Sequence, residues 1–313
     1  MTAAIRLIAF FVTLSGVATA APFTTHVAEG PVRVFYTLEG KDAVPDKDGN
    51  GNGIPDHVED VAVQSFAAYE LFVKVLDFPD PLKSERYKDV DFIDIVLRHT
   101  DALNGMKGLA FDEIQKVGRS IDPPGTTQLT IGIAISVKAP SNPTPAHEIF
   151  HLIQYGATYF KNGWFQEGQA RWAEHALRKE GIGEYRYSPK GPWPQSTEAR
   201  KQLFGMKYES EYYIWNPLAI KSDRSGVIPR RTIPFALRKR TYTNGQPVLE
   251  DLQLHGYKVM RSILHELGAA DDIAAKELAY EKWSEANQKS ERNNQYVYDA
   301  IMKAARIPTP RRR

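Results

Sequence analysis

The run His147-Glu148-Ile149-Phe150-His151 sets two imidazoles four residues apart, with a carboxylate beside the first. This order matches H-E-x-x-H, in which both rings hold a zinc ion and the Glu acts as a base. The spacing has a geometric cause. On an α-helix, positions i and i+4 share one face a turn apart, so both rings reach the same ion. Glu148 then sits at the edge of that face, near any water on the metal. Ile149, Phe150, Leu152 and Ile153 predict that this helix is buried. Buried imidazoles and carboxylates are costly unless they are paired or bind a metal. Pro143 and Pro145, with Thr144 as N-cap, open the helix just ahead of His147.

A catalytic zinc takes three protein ligands and keeps one position for water. The chain has no Cys, so the third ligand is a His, Asp or Glu. The best supplier is an amphipathic helix beginning after Asn162-Gly163 and running through Trp164 to Glu174. Glu167 and Glu174 lie two turns apart on one of its faces, and Ala170 between them lets the two helices approach closely.

Together these residues resemble the gluzincin metallopeptidases, in which H-E-x-x-H is followed by an aromatic-x-x-Glu-Gly-x-Ala segment, here Trp164 to Ala170. The resemblance covers Ala146 to His175. It implies that Glu167 is the third zinc ligand and that Glu174 orients a zinc histidine. It implies an edge strand beside the zinc helix that pairs with an extended protein or peptide substrate. It also implies a downstream Tyr or His that stabilises the oxyanion. By position Tyr212, Tyr213 and His255 qualify, and Tyr213 is assigned the role. Two departures favour an endopeptidase, or a divergent family, over an aminopeptidase. The gap of 15 residues between His151 and Glu167 is shorter than usual in the aminopeptidase branch, and no Gly-x-Met-Glu-Asn signature precedes His147.

A second segment carries ligand chemistry. From Asp48 the chain fits D-x-[DN]-x-[DN]-G-x5-E, the calcium-loop pattern. Asp48, Asn50 and Asn52 take the first alternate positions, Gly53 the sharp turn, Asp56 the ninth and Glu59 the bidentate twelfth. No helix signal precedes the loop, there is one such loop, and Pro55 is foreign to paired EF-hands. A single structural Ca2+ site of the extracellular kind is expected, within a loop spanning 46–59. The competing reading is a Gly/Asn turn in which Asp56 helps to cap a helix.

The elements that must position these groups follow from periodicity. Strands are expected at 31–38, 89–97 and 128–137, with a short edge strand within 105–111. Helical spacing covers 58–78, 208–218, 248–267, 271–286 and 296–305. The proline-rich stretch 188–196 reads as a surface loop. The fold class is therefore α+β. A mixed-sheet lobe at 21–140 precedes the zinc-site helices and a mainly helical lobe at 141–306. The resemblance makes this arrangement zincin-like, with the active-site cleft between the lobes.

Arg6, the apolar run Leu7 to Val17 and Ala18-Thr19-Ala20 read as a signal peptide at 1–20, which predicts a secreted or periplasmic protein. No other stretch is long and apolar enough to span a membrane. The net charge of +2 makes no case for nucleic-acid binding, and the basic tail at 307–313 reads as a solvated end. The expected function is a secreted zinc metallopeptidase. The alternative is a calcium-stabilised extracellular binding or adhesion protein whose zinc site is structural or inactive.

Overall fold

The computed structural model describes residues 23, 25–177 and 194–307. The expected signal peptide, the tail from 308 and the proline-rich loop up to 193 lie outside the described residues. Among the described residues the fold is α+β, and no helix is long and apolar enough to cross a membrane.

Alternation builds the sheet. Val32, Val34 and Tyr36 of β2 (Val32–Tyr36), Ile93, Ile95 and Leu97 of β3 (Phe92–Arg98), and Leu129, Ile131 and Ile133 of β5 (Gln128–Ala134) all join the apolar core. These three strands run parallel, and each is buried along most of its length, as parallel strands are. β1 (Thr25–Glu29) and β4 (Gly108–Ala110) pair antiparallel at the two edges, giving the order β1-β2-β3-β5-β4. β1 had no periodic signal because most of it is exposed. Only its turn into β2, with Gly30 at φ +57, betrays it.

Helix α1 (Asp56–Tyr69) continues as a π-helical turn, Glu70–Val75, and packs on β2. Helix α2 (Thr144–Ala157) packs on α1, β4 and β5. The capping of α2 differs from expectation. Thr144 is its first helical residue, and the Asn142 Oδ1 accepts the Thr144 N–H at 3.0 Å. Behind it, the fully buried Gln64 of α1 donates to the Ala139 carbonyl at 2.7 Å and accepts from the Ala146 N–H at 3.4 Å. One side chain thus ties α1 to the N-terminus of α2. Helix α3 (Gly163–Glu174) crosses α2. The apolar core is continuous across Ser141, from the sheet through α2 and α3 to the later helices.

The far face of the sheet buries an ion network. Arg33 forks onto Asp94 at 2.7 and 3.0 Å and reaches Asp122 at 2.5 Å, while Arg119 meets Asp94 at 2.8 Å. Each guanidinium also lies over an aromatic ring, Arg33 on Phe92 and Arg119 on Phe35.

After α3 come α4 (Thr197–Phe204), α5 (Asn216–Ser222), the single turn α6 (Phe235–Arg238), α7 (Tyr257–Glu277), the single turn α8 (Glu285–Gln288) and α9 (Asn294–Ala304). One 21-residue helix, α7, replaces the two expected at 248–267 and 271–286. Gly256 at φ +73 starts it late. Gly268 carries it past the exit of α2, where a Cβ would meet the Ala157 carbonyl at 2.7 Å.

That exit is fixed by Asp271 of α7, whose Oδ2 accepts from the Thr158 hydroxyl and the Tyr159 N–H, both at 2.7 Å. Burial pushes the Asp271 pKa up to about 6, against those two hydrogen bonds. Because the folded-state value lies above the ordinary one, this group's contribution to stability is greatest at acid pH and is lost as pH rises through about 6. Asp271→Ala strands two donors and should cost about 3 kcal/mol in urea unfolding. Asp271→Asn keeps an oxygen acceptor and should gain on wild type between pH 5 and 7. Parallel stability curves for the two proteins would contradict this assignment.

Candidate metal centre

His147, Glu148 and His151 lie on α2, and Glu167 comes from the second turn of α3. Among the described residues, the group of imidazole and carboxylate ligands that converges within 4.8 Å is His147, His151 and Glu167. Glu167 Oε2 is 3.2 Å from His147 Nε2 and 3.6 Å from His151 Nε2. Both rings therefore aim the same nitrogen at one carboxylate oxygen.

The opposite nitrogens are held from behind. Glu174 Oε1 lies 2.9 Å from His147 Nδ1, and Gln154 Oε1 lies 2.8 Å from His151 Nδ1. Each oxygen accepts an Nδ1–H, which leaves each Nε2 lone pair for a ligand. Gln154 is itself fixed, because its amide donates to the Gln166 carbonyl at 3.1 Å and to the Gln169 side chain at 3.0 Å. Gln154 escaped the sequence reading although it sits three residues after His151, one turn along the same helix.

The electrostatics call for positive charge between the rings. Burial works against charging His147, but the carboxylates of Glu167 and Glu174 overcome it and raise its pKa to about 10. Burial also works against ionising Glu167, yet its bonds to His147 and His151 hold it far below the usual carboxylate range. A proton on His147 meets this demand in one way. A divalent cation on both Nε2 atoms and Glu167 meets it more fully, so the residues fit a metal ion. Lys207 approaches the other Glu167 oxygen, Oε1, at 3.2 Å, a partner from 40 residues away that no local pattern announces.

Glu148 is 6% exposed. Burial raises its pKa, while the neighbouring His151 and His147 and the Ala110 N–H lower it. It faces a cavity of about 300 Å3 whose lining includes Gly108, Leu109 and Ala110 of β4, Tyr155, Arg171 and Tyr208. Tyr155 stacks on His151 with centroids 5.9 Å apart. Glu174 is buried, and Arg171 bridges it to Glu211 at 3.6 and 3.2 Å.

Tyr213, assigned above to oxyanion stabilisation, is not among the residues lining this cavity, and neither are Tyr212 and His255. Tyr213 lies on a π-helical turn, Glu211–Trp215, and packs against the core. The His255 Nδ1–H donates to the Asp223 carbonyl at 2.9 Å, and its own carbonyl accepts from the Trp172 indole. The tyrosines that do line the cavity are Tyr155 and Tyr208.

The acidic loop forms a separate cluster. Asp48 accepts from the Gly51 and Gly53 N–H groups, each at 2.8 Å. Gly51 and Gly53 have φ of +72 and +85, which lets the chain curl inward. The Asn50 and Asn52 amides meet the Glu59 carboxylate at 3.0 and 2.7 Å. Asp48, Asn50, Asn52 and Glu59 are thus brought together. Asp56 instead pairs with Lys47 at 2.7 Å and accepts from the Gly49 N–H, and these bonds lower its pKa. Pro55, not Asp56, occupies the N-cap position of α1.

No known protein-family model matches the chain, and no curated protein matches it.

If Gln154 and Glu174 set the tautomers, Gln154→Ala and Glu174→Ala should each weaken Co2+ binding about 10- to 100-fold. The visible absorption of the bound ion reports this in a chelator competition. Wild-type affinity in both variants would show that the rings need no support.

Proposed function

We propose that this chain is a secreted zinc-dependent metallopeptidase of gluzincin type with a zincin-like fold, acting as an endopeptidase. The observation that carries the reading is the meeting of His147 Nε2, His151 Nε2 and Glu167 Oε2, with Glu148 buried at their side. His147, His151 and Glu167 would hold the zinc, which when bound lowers the pKa of a coordinated water and polarises the scissile carbonyl.

The remaining steps belong to side chains. Glu148 takes the proton of the attacking water and passes it to the leaving amine. The Ala110 N–H aims the carboxylate. β4 is an edge strand beside the cavity. Lys107 O and Phe111 N bond to β5, so the Gly108 N–H and carbonyl and the Ala110 carbonyl face away from that ladder, while the Ala110 N–H is given to Glu148. An extended peptide can pair along this edge. Tyr155 and Tyr208, which line the cavity, would donate to a developing oxyanion in the role first given to Tyr213.

The mature chain purified with zinc should hydrolyse casein, and Glu148→Gln should lose at least about 100-fold in kcat while keeping its zinc. Equal turnover by the variant refutes the peptidase. Zinc retention with no turnover by wild type on a broad peptide library favours the binding or adhesion protein.

We also propose that the loop from Asp48 to Glu59 holds a structural Ca2+. The inward curl at Gly51 and Gly53 and the gathered Asp48, Asn50, Asn52 and Glu59 side chains support it. Asp56 joins that set only by giving up Lys47. Calcium at 100 times its Kd should add about 2.7 kcal/mol to unfolding, and Glu59→Gln should abolish the gain. A Tm that ignores calcium would dismiss this site.

A further inference from the structure

β4 lies directly against the base of the proposed site, and one residue makes that possible. Gly108 does not have a left-handed φ, so its backbone would accept any residue. Its constraint is space. A Cβ here would fall 2.4 Å from Glu148 Oε1, 2.7 Å from Glu148 Cγ and 2.6 Å from Thr144 Cγ2. Real Cβ atoms do not approach so closely, and something must shift.

The strand has little freedom to retreat. Gly108, Leu109 and Ala110 are laddered to Ile133, Gly132 and Ile131 of β5. Just beyond, Asp112 is pinned by the Arg86 guanidinium and by Lys161 at 2.7 Å, and its carbonyl accepts from the Tyr87 hydroxyl at 2.6 Å. Arg86 also bonds the Tyr155 carbonyl at 3.2 Å, which locks the end of β4 to the end of α2. The α2 backbone is held at its other end by Gln64. Between two fixed backbones the softest group is the Glu148 side chain.

We propose that Gly108 is a positioning residue for Glu148. The missing side chain lets the carboxylate rest between β4 and the two imidazoles, where it accepts from the Ala110 N–H. This rests on the reading of Glu148 as general base. A methyl group at 108 displaces the carboxylate before it disturbs the ladder or either Nε2 atom. Turnover therefore falls while metal binding persists.

The test uses the full mature chain loaded with zinc. Gly108→Ala should lower kcat about 100-fold, the cost of a displacement of about 1 Å at a reacting group, with KM and zinc affinity close to wild type. Gly108→Ala/Thr144→Ser removes the methyl contact at Thr144, so it should recover any lost Tm while kcat stays low. Wild-type kcat in Gly108→Ala, full recovery by Thr144→Ser, or loss of zinc or fold in every variant each overturns the proposal. Glu148→Gln separates the two readings. If it stays active, the general base is wrong. If it is inactive while Gly108→Ala matches wild type, only the role of Gly108 is wrong.

Discussion

Two imidazoles and a carboxylate share one oxygen-and-nitrogen cluster inside an apolar fold, and their burial is the constraint that the surrounding structure serves. His147 and His151 are 7% and 6% exposed. In such a place an unpaired charge costs several kcal/mol. The cost is met by fixed partners on every side: Glu174 and Gln154 behind the rings, Glu167 in front of them, and Lys207 on the far oxygen of Glu167. Glu174 and Gln154 hold the two Nδ1 atoms, so the arrangement that makes the cluster tolerable also turns both Nε2 atoms toward one point.

The rest of the fold holds that point still. Helix α2 is gripped at its start by Gln64 and Asn142 and at its exit by Asp271 and Arg86. Helix α3 is fixed near its start by Trp164, whose indole donates to Asn294 at 2.7 Å. Gly168 lets the segment around Ser210 and Trp215 come close, since a Cβ there would lie 1.9 Å from Ser210 Oγ. β4 closes the remaining side of the cavity. A rigid frame of this kind suits chemistry that depends on the placement of a base to within about an ångström.

Much of this was legible because its period is short. The strand cores at Ile93, Ile95 and Leu97 and at Leu129, Ile131 and Ile133 alternate, and helical spacing put His147 with His151 and Glu167 with Glu174. Where burial and local spacing disagree, the pattern fails. Exposed β1 carries no apolar signal, and α7 passes through Gly268 because the exit of α2 needs the room. Partners far apart in sequence, such as Lys207 with Glu167 and Gly108 with Glu148, leave no periodic trace. Tyr213 was placed by position alone; its π-helical turn packs against the core, and the tyrosines that line the cavity are Tyr155 and Tyr208.

X-ray absorption at the zinc edge of the purified protein addresses the central claim most directly. The account predicts one bound zinc per chain, with two imidazole nitrogens and a carboxylate oxygen among its neighbours at about 2.0–2.2 Å, and the loss of one imidazole's scattering in His151→Ala. A chain that retains no zinc, or a spectrum unchanged by that substitution, would contradict it.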